Sequence, residues 1–253
     1  MIPKIIHYCW FGGGNIPPHL QKCMDSWSQL LPEYQIMRWD ETNFDVNSVT
    51  WTKEAYEKKK YAFVSDYVRL VALEQYGGIY FDTDMEVIKN MDEFTDKELV
   101  LGLEDSTRPN AAFVLVKNKK NKYMKKLLDK YKKMKFNPTG DLFDICIPKL
   151  LEELLLPYGL ECGSENIQVL NNEVHIYPRE YFYPLSYDMQ NNIFTDNTYT
   201  IHHFSASWTD TGEKIAVWLR RHKLGFLVKP AWTVLDKLRR IKKRISGDKN
   251  EKK

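Results

Sequence analysis

Two aspartates separated by a single residue, Asp82 and Asp84, have the clearest chemical potential in this sequence. Paired carboxylates at this spacing suit a hard divalent cation such as Mg²⁺ or Mn²⁺, and such a cation can also hold phosphates. They follow Ile79, Tyr80 and Phe81, whose β-branched and aromatic side chains are typical of a buried strand. Because ligands of open α/β sheets bind at the carboxyl ends of strands, the sequence predicts a metal-binding acidic tip here.

A second polar pair precedes this acidic tip on a predicted helix. Asp66 and Arg69 lie three residues apart, so they share one helix face. The helix is expected to start near Ser65, as its N-cap or first-turn residue, and to end at Gly77–Gly78. The pair therefore offers a hydrogen-bond acceptor and several donors just upstream of the tip.

Other kinds of site also use closely spaced aspartates. An EF-hand calcium loop needs Gly at its sixth position, but counting from Asp82 that position is Val87. Phosphatases of the haloacid-dehalogenase type expect Thr or Val two residues after the second Asp, where this chain has Glu86. A metal-dependent phosphatase or nucleotidyltransferase that uses Asp82 stays open, as does a non-catalytic carbohydrate-binding protein.

The stretch SDYVRLVALEQYGGIYFDTD, residues 65–84, resembles the core motif of glycosyltransferase family 32, the DXD-containing sugar transferases. That family includes capsular-polysaccharide transferases and is related to the large glucosylating bacterial toxins. The resemblance extends over residues 1–210 and is strongest at 2–14, 62–88 and 201–208. It implies a GT-A-type α/β fold, a nucleotide-sugar donor (a UDP-sugar before GDP-mannose), a glycan or lipid-linked glycan acceptor, and retention of anomeric configuration.

The resemblance also assigns roles to residues around the motif. Asp82 and Asp84 would hold Mn²⁺ or Mg²⁺ against the diphosphate, whereas Ser65, Asp66 and Arg69 would bind and position the donor sugar. Farther away, two residues would complete the donor site. Trp10, at the end of a first strand, would stack on the nucleotide base, and Asn110 would lie near the donor sugar.

Two adjacent histidines form a second chemical cluster, in the segment HHFSASW at residues 202–208. An imidazole can join an oxygen-rich Mn²⁺ site, and neighbours on a strand point to opposite faces, so only one ring should face the metal. The resemblance favours His203 as that ligand, with His202 as the alternative. It makes Ser207 and Trp208 contacts of the diphosphate.

The elements that would position these residues alternate along the chain, which predicts a mostly parallel sheet in an α/β domain. We expect strands at 4–11, 35–39, 79–81, 98–103, 111–116, 174–177 and 198–201. Helices are expected at 17–31, 50–61, 121–135 and 142–156, and a helix from about residue 65 to Gly77.

Bulk composition bounds the class of protein. With 253 residues and 43% hydrophobic residues, the chain is long enough for one catalytic domain, expected at 1–212, and an extension at 213–253. The four cysteines contain no CxxC pair, which predicts thiols in a reducing compartment. Without a visible secretory signal or membrane-spanning run, the sequence predicts a cytoplasmic protein.

The extension is strongly basic. Residues 214–244 contain eleven Lys and Arg against one acid, although the whole chain carries a net charge of only +3. From Pro230 onward, apolar residues fall at helical spacing, which predicts an amphipathic helix lying on an anionic membrane at its inner face. A solvated helix with a disordered lysine tail is the alternative. No nucleic-acid-binding motif is visible, so no nucleic-acid partner is expected.

Overall fold

The computed structural model describes residues 1–104, 108–136 and 145–205, and six isolated positions between 215 and 227. Most of these residues form one compact unit, Met1–Ser186 with Asn192–Ser205. A second unit comprises Tyr187–Asn191 and Ala206–Lys253, and nearly all of its second segment lies outside the described residues. The predicted C-terminal amphipathic helix, Ser207 and Trp208 therefore lie there as well.

The described residues form nine strands and six helices of the α type. The strands are β1 (Ile5–Cys9), β2 (Gln35–Trp39), β3 (Gly78–Phe81), β4 (Met85–Val87), β5 (Leu99–Glu104), β6 (Arg108–Val116), β7 (Gln168–Leu170), β8 (Val174–Tyr177) and β9 (Thr200–His202). The helices are α1 (Pro18–Leu30), α2 (Thr50–Glu57), α3 (Tyr61–Tyr76), α4 (Lys122–Tyr131), α5 (Ile147–Leu155) and α6 (Arg179–Phe182).

Seven of the strands form a central sheet in the order β2-β1-β3-β6-β5-β8-β7. The pairs β1–β2, β1–β3 and β5–β8 are parallel, whereas β3–β6, β5–β6 and β7–β8 are antiparallel. Strands β2, β1, β3, β5 and β8 consequently run in one direction, and only β6 and β7 oppose them. The predicted α/β class with a mostly parallel sheet is confirmed.

The turn from α3 into β3 brings the acidic tip to the edge of this sheet at which its parallel strands have their carboxyl ends. Gly77 ends α3 with φ +68°, and Gly78 opens β3 with φ +94°, a left-handed conformation that favours glycine. A Cβ at Gly78 would lie 2.5 Å from the carbonyl oxygen of Ile5 on β1. This close approach lets β3 pair with β1, so that the two parallel strands end at the same sheet edge.

A separate two-stranded ribbon, β4 with β9, continues from the tip. Its antiparallel register places Met85 opposite His202. Helix α1 secures the ribbon, because the indole of Trp27 donates to the Met85 carbonyl at 2.7 Å and the Val87 N–H donates to Ser26 Oγ at 2.8 Å. The core residue Trp27 is fully buried, so the base of the ribbon is anchored in the main core.

Two predicted boundaries around α3 are wrong. Helix α2 ends at Glu57 and α3 starts at Tyr61, rather than one helix reaching Tyr61 and the next starting near Ser65. The break lies at Lys59, which adopts φ +56° without any Gly or Pro. Ser65 is thus inside α3, where its hydroxyl donates to the Tyr61 carbonyl at 3.1 Å.

Strand β6 also starts earlier than predicted, at Arg108, so Asn110 belongs to a strand and not to a turn. The short strands β4 and β7 were not predicted. Among the helices of the described residues, none has the length and apolar character that crossing a bilayer requires.

Candidate active site

The acidic tip follows β3 directly, as the sequence predicts. The Asp82 N–H donates to the Ala112 carbonyl on β6 at 2.8 Å, and the Met85 N–H closes a turn onto the Asp82 carbonyl at 2.9 Å. Asp84 is buried, whereas the Asp82 side chain keeps 29% of its surface exposed. The two carboxylates therefore stand at the edge of the sheet, with one of them open to a ligand.

His202 joins this pair through the β4–β9 ribbon. Its Nε2 lies 3.3 Å from Asp84 Oδ1, and Asp82, Asp84 and His202 offer ligand atoms that all lie within 4.8 Å of one another. His203 faces away, with Nε2 2.7 Å from Glu86 Oε2. The predicted alternation of the two rings is present, but the preference for His203 is reversed, because the register puts His202 beside the acids.

The Asp84 carboxylate is held in a fixed orientation by the segment after β9. The Ser205 N–H donates to Asp84 Oδ2 at 2.7 Å, and the His203 N–H donates to the Asp84 carbonyl at 3.0 Å. Phe204 between them adopts φ +48°, a left-handed conformation that turns the chain back toward Asp84. One carboxylate oxygen is thereby committed to the backbone, and the other faces His202 and Asp82.

The charges of this cluster are strongly coupled. Burial alone would raise the pKa of Asp84, but the His202 imidazole and the Ser205 N–H outweigh it and hold that pKa well below its usual range. Burial would lower the pKa of His202, yet Asp84 and Glu104 raise it to about 10. Burial raises the pKa of Asp82, an effect that Arg69 opposes and Asp84 reinforces. Near neutral pH, Asp84 is therefore ionised and pairs with a protonated His202.

Arg69 and Asp66 lie on the inner side of the tip. Arg69 Nη2 is 2.9 Å from Asp66 Oδ1 and 3.2 Å from Asp82 Oδ1, so one guanidinium links both carboxylates. It also donates hydrogen bonds to the carbonyls of Ala111 at 2.7 Å and Ser65 at 3.3 Å. Because Arg69 is only 4% exposed and bonds to protein groups, it fixes the two acids, which differs from the predicted direct contact with the donor sugar.

Asp66 is also buried, and its pKa is raised, unlike that of Asp84. Burial, which Arg69 offsets only in part, raises the pKa of Asp66 to about 6. The backbone N–H of Ile147, at the start of α5, donates to the same carboxylate. Asp66 can therefore accept or donate a hydrogen bond near neutral pH, which suits recognition of a hydroxyl group.

Trp10 reaches the same sheet edge from the neighbouring strand β1. It is half-buried, and its indole N–H donates to the Gly14 carbonyl at 2.6 Å. The loop that it contacts is tied down by Glu41, which accepts from the Gly12 N–H at 2.6 Å and from the Tyr56 hydroxyl at 2.8 Å. A partly exposed, fixed indole at this edge fits the predicted stacking on a nucleotide base.

Asn110 occupies β6 near the same edge. It is buried, and its side-chain oxygen accepts the Ala112 N–H at 2.8 Å. The Ala112 carbonyl in turn holds Asp82, so Asn110 supports the strand segment that carries the tip. The structure thus brings most of the predicted residues to one edge: Trp10, Ser65, Asp66, Arg69, Asp82, Asp84, Asn110 and His202.

Two residues of this site were missed by sequence reasoning. Tyr80 donates its hydroxyl to Asp82 Oδ1 at 2.9 Å, and its ring lies 4.6 Å from the Arg69 guanidinium carbon. Strand alternation places residues 80 and 82 on one face, so this contact could have been inferred. Glu104, whose Oε1 lies 3.2 Å from His202 Nδ1, gave no local signal.

The ligand atoms at this site are of the types that bind a divalent cation and a sugar. Two carboxylates and one imidazole suit Mn²⁺, and carboxylate oxygens also suit Mg²⁺. The His202 imidazole, the partly exposed Asp82 carboxylate and the fixed Asp84 carboxylate are available on one side, and Asp66 lies beyond Arg69. The residues present therefore fit such a cation.

Comparison with known proteins points to the same chemistry. Residues 17–101 match the family described as a glycosyltransferase sugar-binding region containing a DXD motif. An uncharacterised glycosyltransferase of Acanthamoeba polyphaga mimivirus is 34% identical in an alignment 104 positions long, which covers 37% of this chain and 40% of that protein. Inositol phosphoceramide mannosyltransferase 3 of Schizosaccharomyces pombe is 32% identical over 95 residues, 36% of this chain and 26% of that protein. The matched part thus spans less than half of either relative.

Two of the solved structures that are similar to this chain are also glycosyltransferases. The PaToxG glycosyltransferase has a TM-score of 0.49 at 19% identity, covering 62% of this chain and 68% of that one. The galactosyltransferase LgtC, solved with donor and acceptor sugar analogues, has a TM-score of 0.38 at 15% identity, covering 87% of this chain and 95% of that one. These matches agree with the predicted resemblance: residues 17–101 of this chain are similar to a glycosyltransferase sugar-binding region containing a DXD motif.

Proposed function

We propose that this protein is a metal-dependent, retaining glycosyltransferase. Its donor would be a nucleotide-diphosphate sugar, a UDP-sugar before GDP-mannose, and its acceptor a hydroxyl of a glycan or lipid-linked glycan in surface (capsular) polysaccharide synthesis. One observation carries the proposal: Asp82, Asp84 and His202 converge at the end of β3, beside the buried Asp66–Arg69 pair, within a DXD-type region.

The cation would be held by Asp82, Asp84 and His202. When bound, it would neutralise the negative charge that develops on the departing diphosphate. Mn²⁺ suits the imidazole better than Mg²⁺ does, because Mg²⁺ prefers oxygen ligands. Both ions are therefore to be tested, with Mn²⁺ expected to bind more tightly.

The protein's own residues would position the donor. Arg69 and Tyr80 hold Asp82, and Ser205 holds Asp84, so neither carboxylate has to reorganise when the donor enters. Asp66 would hydrogen-bond a sugar hydroxyl, with Arg69 keeping it in place. Trp10 would stack on the base at the same sheet edge, which separates base recognition from sugar recognition.

The chemical step would be attack by the acceptor hydroxyl oxygen on the anomeric carbon, on the face that the diphosphate leaves. The bond from that carbon to the phosphate oxygen breaks, and the hydroxyl proton passes to the departing phosphate. Retention of configuration comes from the family resemblance alone. Because none of the predicted residues is an obvious covalent nucleophile, same-face attack is favoured over a double displacement through a glycosyl-enzyme. Product NMR should show an α-linkage from an α-linked donor, and a β-linked product would overturn this stereochemistry.

A thermal-shift screen of nucleotide sugars, with and without Mn²⁺, tests the function. A ligand that binds only the folded protein raises the unfolding midpoint, so a UDP-sugar or GDP-mannose should do so only when Mn²⁺ is present. The best donor is then assayed for sugar transfer and for release of free sugar. Metal-dependent release of phosphate from simple phosphomonoesters, without any response to nucleotide sugars, would favour the phosphatase reading instead.

Cytoplasmic attachment to an anionic membrane is a further part of the proposal. The basic C-terminal segment predicts it, and the surface of α4 and its flanks adds a cluster of exposed lysines: Lys119, Lys120, Lys122, Lys125, Lys126, Lys132, Lys133 and Lys135. Each base near an anionic leaflet contributes about 1 kcal/mol. The protein should co-sediment with phosphatidylcholine vesicles in proportion to their phosphatidylserine content. Added salt should reduce the bound fraction, and so should removal of residues 214–253. A bound fraction that does not change with anionic lipid content, salt or truncation would exclude this attachment.

A further inference from the structure

The imidazole of His202 lies between two carboxylates, and only one of them belongs to the acidic tip. Nε2 faces Asp84 Oδ1 at 3.3 Å, whereas Nδ1 faces Glu104 Oε1 at 3.2 Å on the opposite side of the ring. Glu104 is the last residue of β5, which is separated from β3 by β6 in the sheet. It is not part of the cluster whose ligand atoms converge within 4.8 Å.

The ring has little freedom to choose another orientation. The Tyr183 ring packs edge-on against it at 5.8 Å between centroids, and the Phe204 ring lies 4.3 Å away. Tyr183 is itself fixed, because its hydroxyl accepts the Phe113 N–H at 3.0 Å and is 3.3 Å from the Asn110 carbonyl. Packing therefore sets the plane of the ring, and the remaining variable is which nitrogen keeps its proton when a metal ion binds to the other.

We propose that Glu104 is the positioning residue that decides this tautomer. By accepting a hydrogen bond from Nδ1–H, it leaves the Nε2 lone pair directed at the space shared with Asp82 and Asp84. A metal ligand of this type needs the unprotonated nitrogen on the metal side, and such outer carboxylates fix both ring orientation and basicity. The inference rests on the proposed function, because it concerns the metal site invoked there.

The chain contains a matched control for this arrangement. The neighbouring His203 makes the same kind of contact with Glu86, at 2.7 Å between Nε2 and Oε2. That pair points to the other face of the ribbon, and both side chains are about equally exposed, at 39% each. Removing the Glu86 carboxylate thus takes away a histidine partner of the same chemistry without touching the acidic tip.

Calorimetric titration with Mn²⁺ tests the proposal. Glu104→Ala should bind Mn²⁺ 10–100-fold more weakly, about the effect of losing such an outer partner. Glu104→Gln, whose amide oxygen can still accept from Nδ1–H, should recover part of that loss. Glu86→Ala and Glu86→Gln should match the wild type. Unchanged Mn²⁺ affinity in Glu104→Ala, or an equal loss in Glu86→Ala, would overturn the assignment.

Nitrogen-15 NMR of the imidazole rings gives a readout that a purely structural role would not move. With Zn²⁺ bound, a diamagnetic ion that accepts imidazole nitrogen as a ligand, His202 of the wild type should be in the Nδ1–H tautomer, and Nε2–H would overturn the proposal. The wild-type spectrum and Glu104→Gln decide the question even if Glu104→Ala fails to fold. If the wild type binds nucleotide with Mn²⁺ and Glu104→Ala binds Mn²⁺ as tightly as the wild type, only this inference is refuted. If the wild type binds neither Mn²⁺ nor nucleotide, the proposed function is refuted too.

Discussion

Acidification should destabilise this protein through one buried histidine, His7 on β1. Its side chain is fully buried, with Nε2 2.9 Å from the Gly77 carbonyl and Nδ1 accepting from the Trp39 indole N–H at 3.2 Å. This requires the neutral ring with its proton on Nε2, because a second proton would meet the Trp39 N–H. Burial accordingly lowers the pKa of His7 from 6.5 to about 4, against a smaller opposing effect of the Gly77 carbonyl.

The sign and size of the effect follow from proton linkage. Between pH 6.5 and pH 4 the unfolded chain binds a proton at His7 that the folded chain excludes, so stability rises with pH across this window. The contribution is complete above pH 6.5 and is lost as the pH falls to 4. At about 1.4 kcal/mol per pKa unit, the loss amounts to about 3 kcal/mol.

Urea unfolding at several pH values between 7.5 and 4 measures this contribution. The free energy of unfolding of the wild type, minus that of His7→Gln, should be constant above pH 7 and fall by about 3 kcal/mol toward pH 4. Replacing exposed His19 on α1 with Gln provides the matched control and should leave the wild-type pH dependence in place. If His7→Gln shows the same pH dependence as the wild type, the reasoning about this ring is refuted.

Two further substitutions test the base site and the turn into β3. Trp10→Ala should weaken nucleotide binding by about 1–3 kcal/mol, the usual size of a stacking contact, and an unchanged affinity in calorimetry would make Trp10 a core residue only. Gly78→Ala should lower the free energy of unfolding by about 1–3 kcal/mol, because φ is +94° and the new Cβ would lie 2.5 Å from the Ile5 carbonyl oxygen. Wild-type stability of Gly78→Ala in urea would contradict the close approach of β1 and β3.

Much of the central motif was predictable because its signals are local. The bounds of β2 match the prediction, and β3 begins one residue before the predicted Ile79, since short apolar runs bounded by turn residues mark buried strands. The polar pair Asp66 and Arg69 falls on one helix face at the predicted spacing, and Asp82 and Asp84 lie at the predicted strand end. Local spacing was sufficient for each of these features.

The parts that could not be predicted depend on long-range pairing. The choice between His202 and His203 required the register of β4 against β9, two strands of three residues each that are too short to show a period. Glu104 meets His202 only because the sheet order brings β5 near the ribbon, across 98 residues of sequence. The break before α3 lies at Lys59, which adopts a left-handed conformation. Lysine is not a residue type from which such a conformation is predicted.

Calorimetric binding of UDP and GDP to the wild type and to Asp84→Asn, with and without Mn²⁺, tests the central claim most directly. Asparagine keeps an oxygen that can accept the Ser205 N–H but loses the charge that a cation requires. The wild type should bind a nucleotide only with Mn²⁺, and Asp84→Asn should lose that binding and sugar transfer while it stays folded. Equal nucleotide binding without Mn²⁺, or wild-type binding and transfer in Asp84→Asn, would contradict a metal-dependent transferase site at this tip.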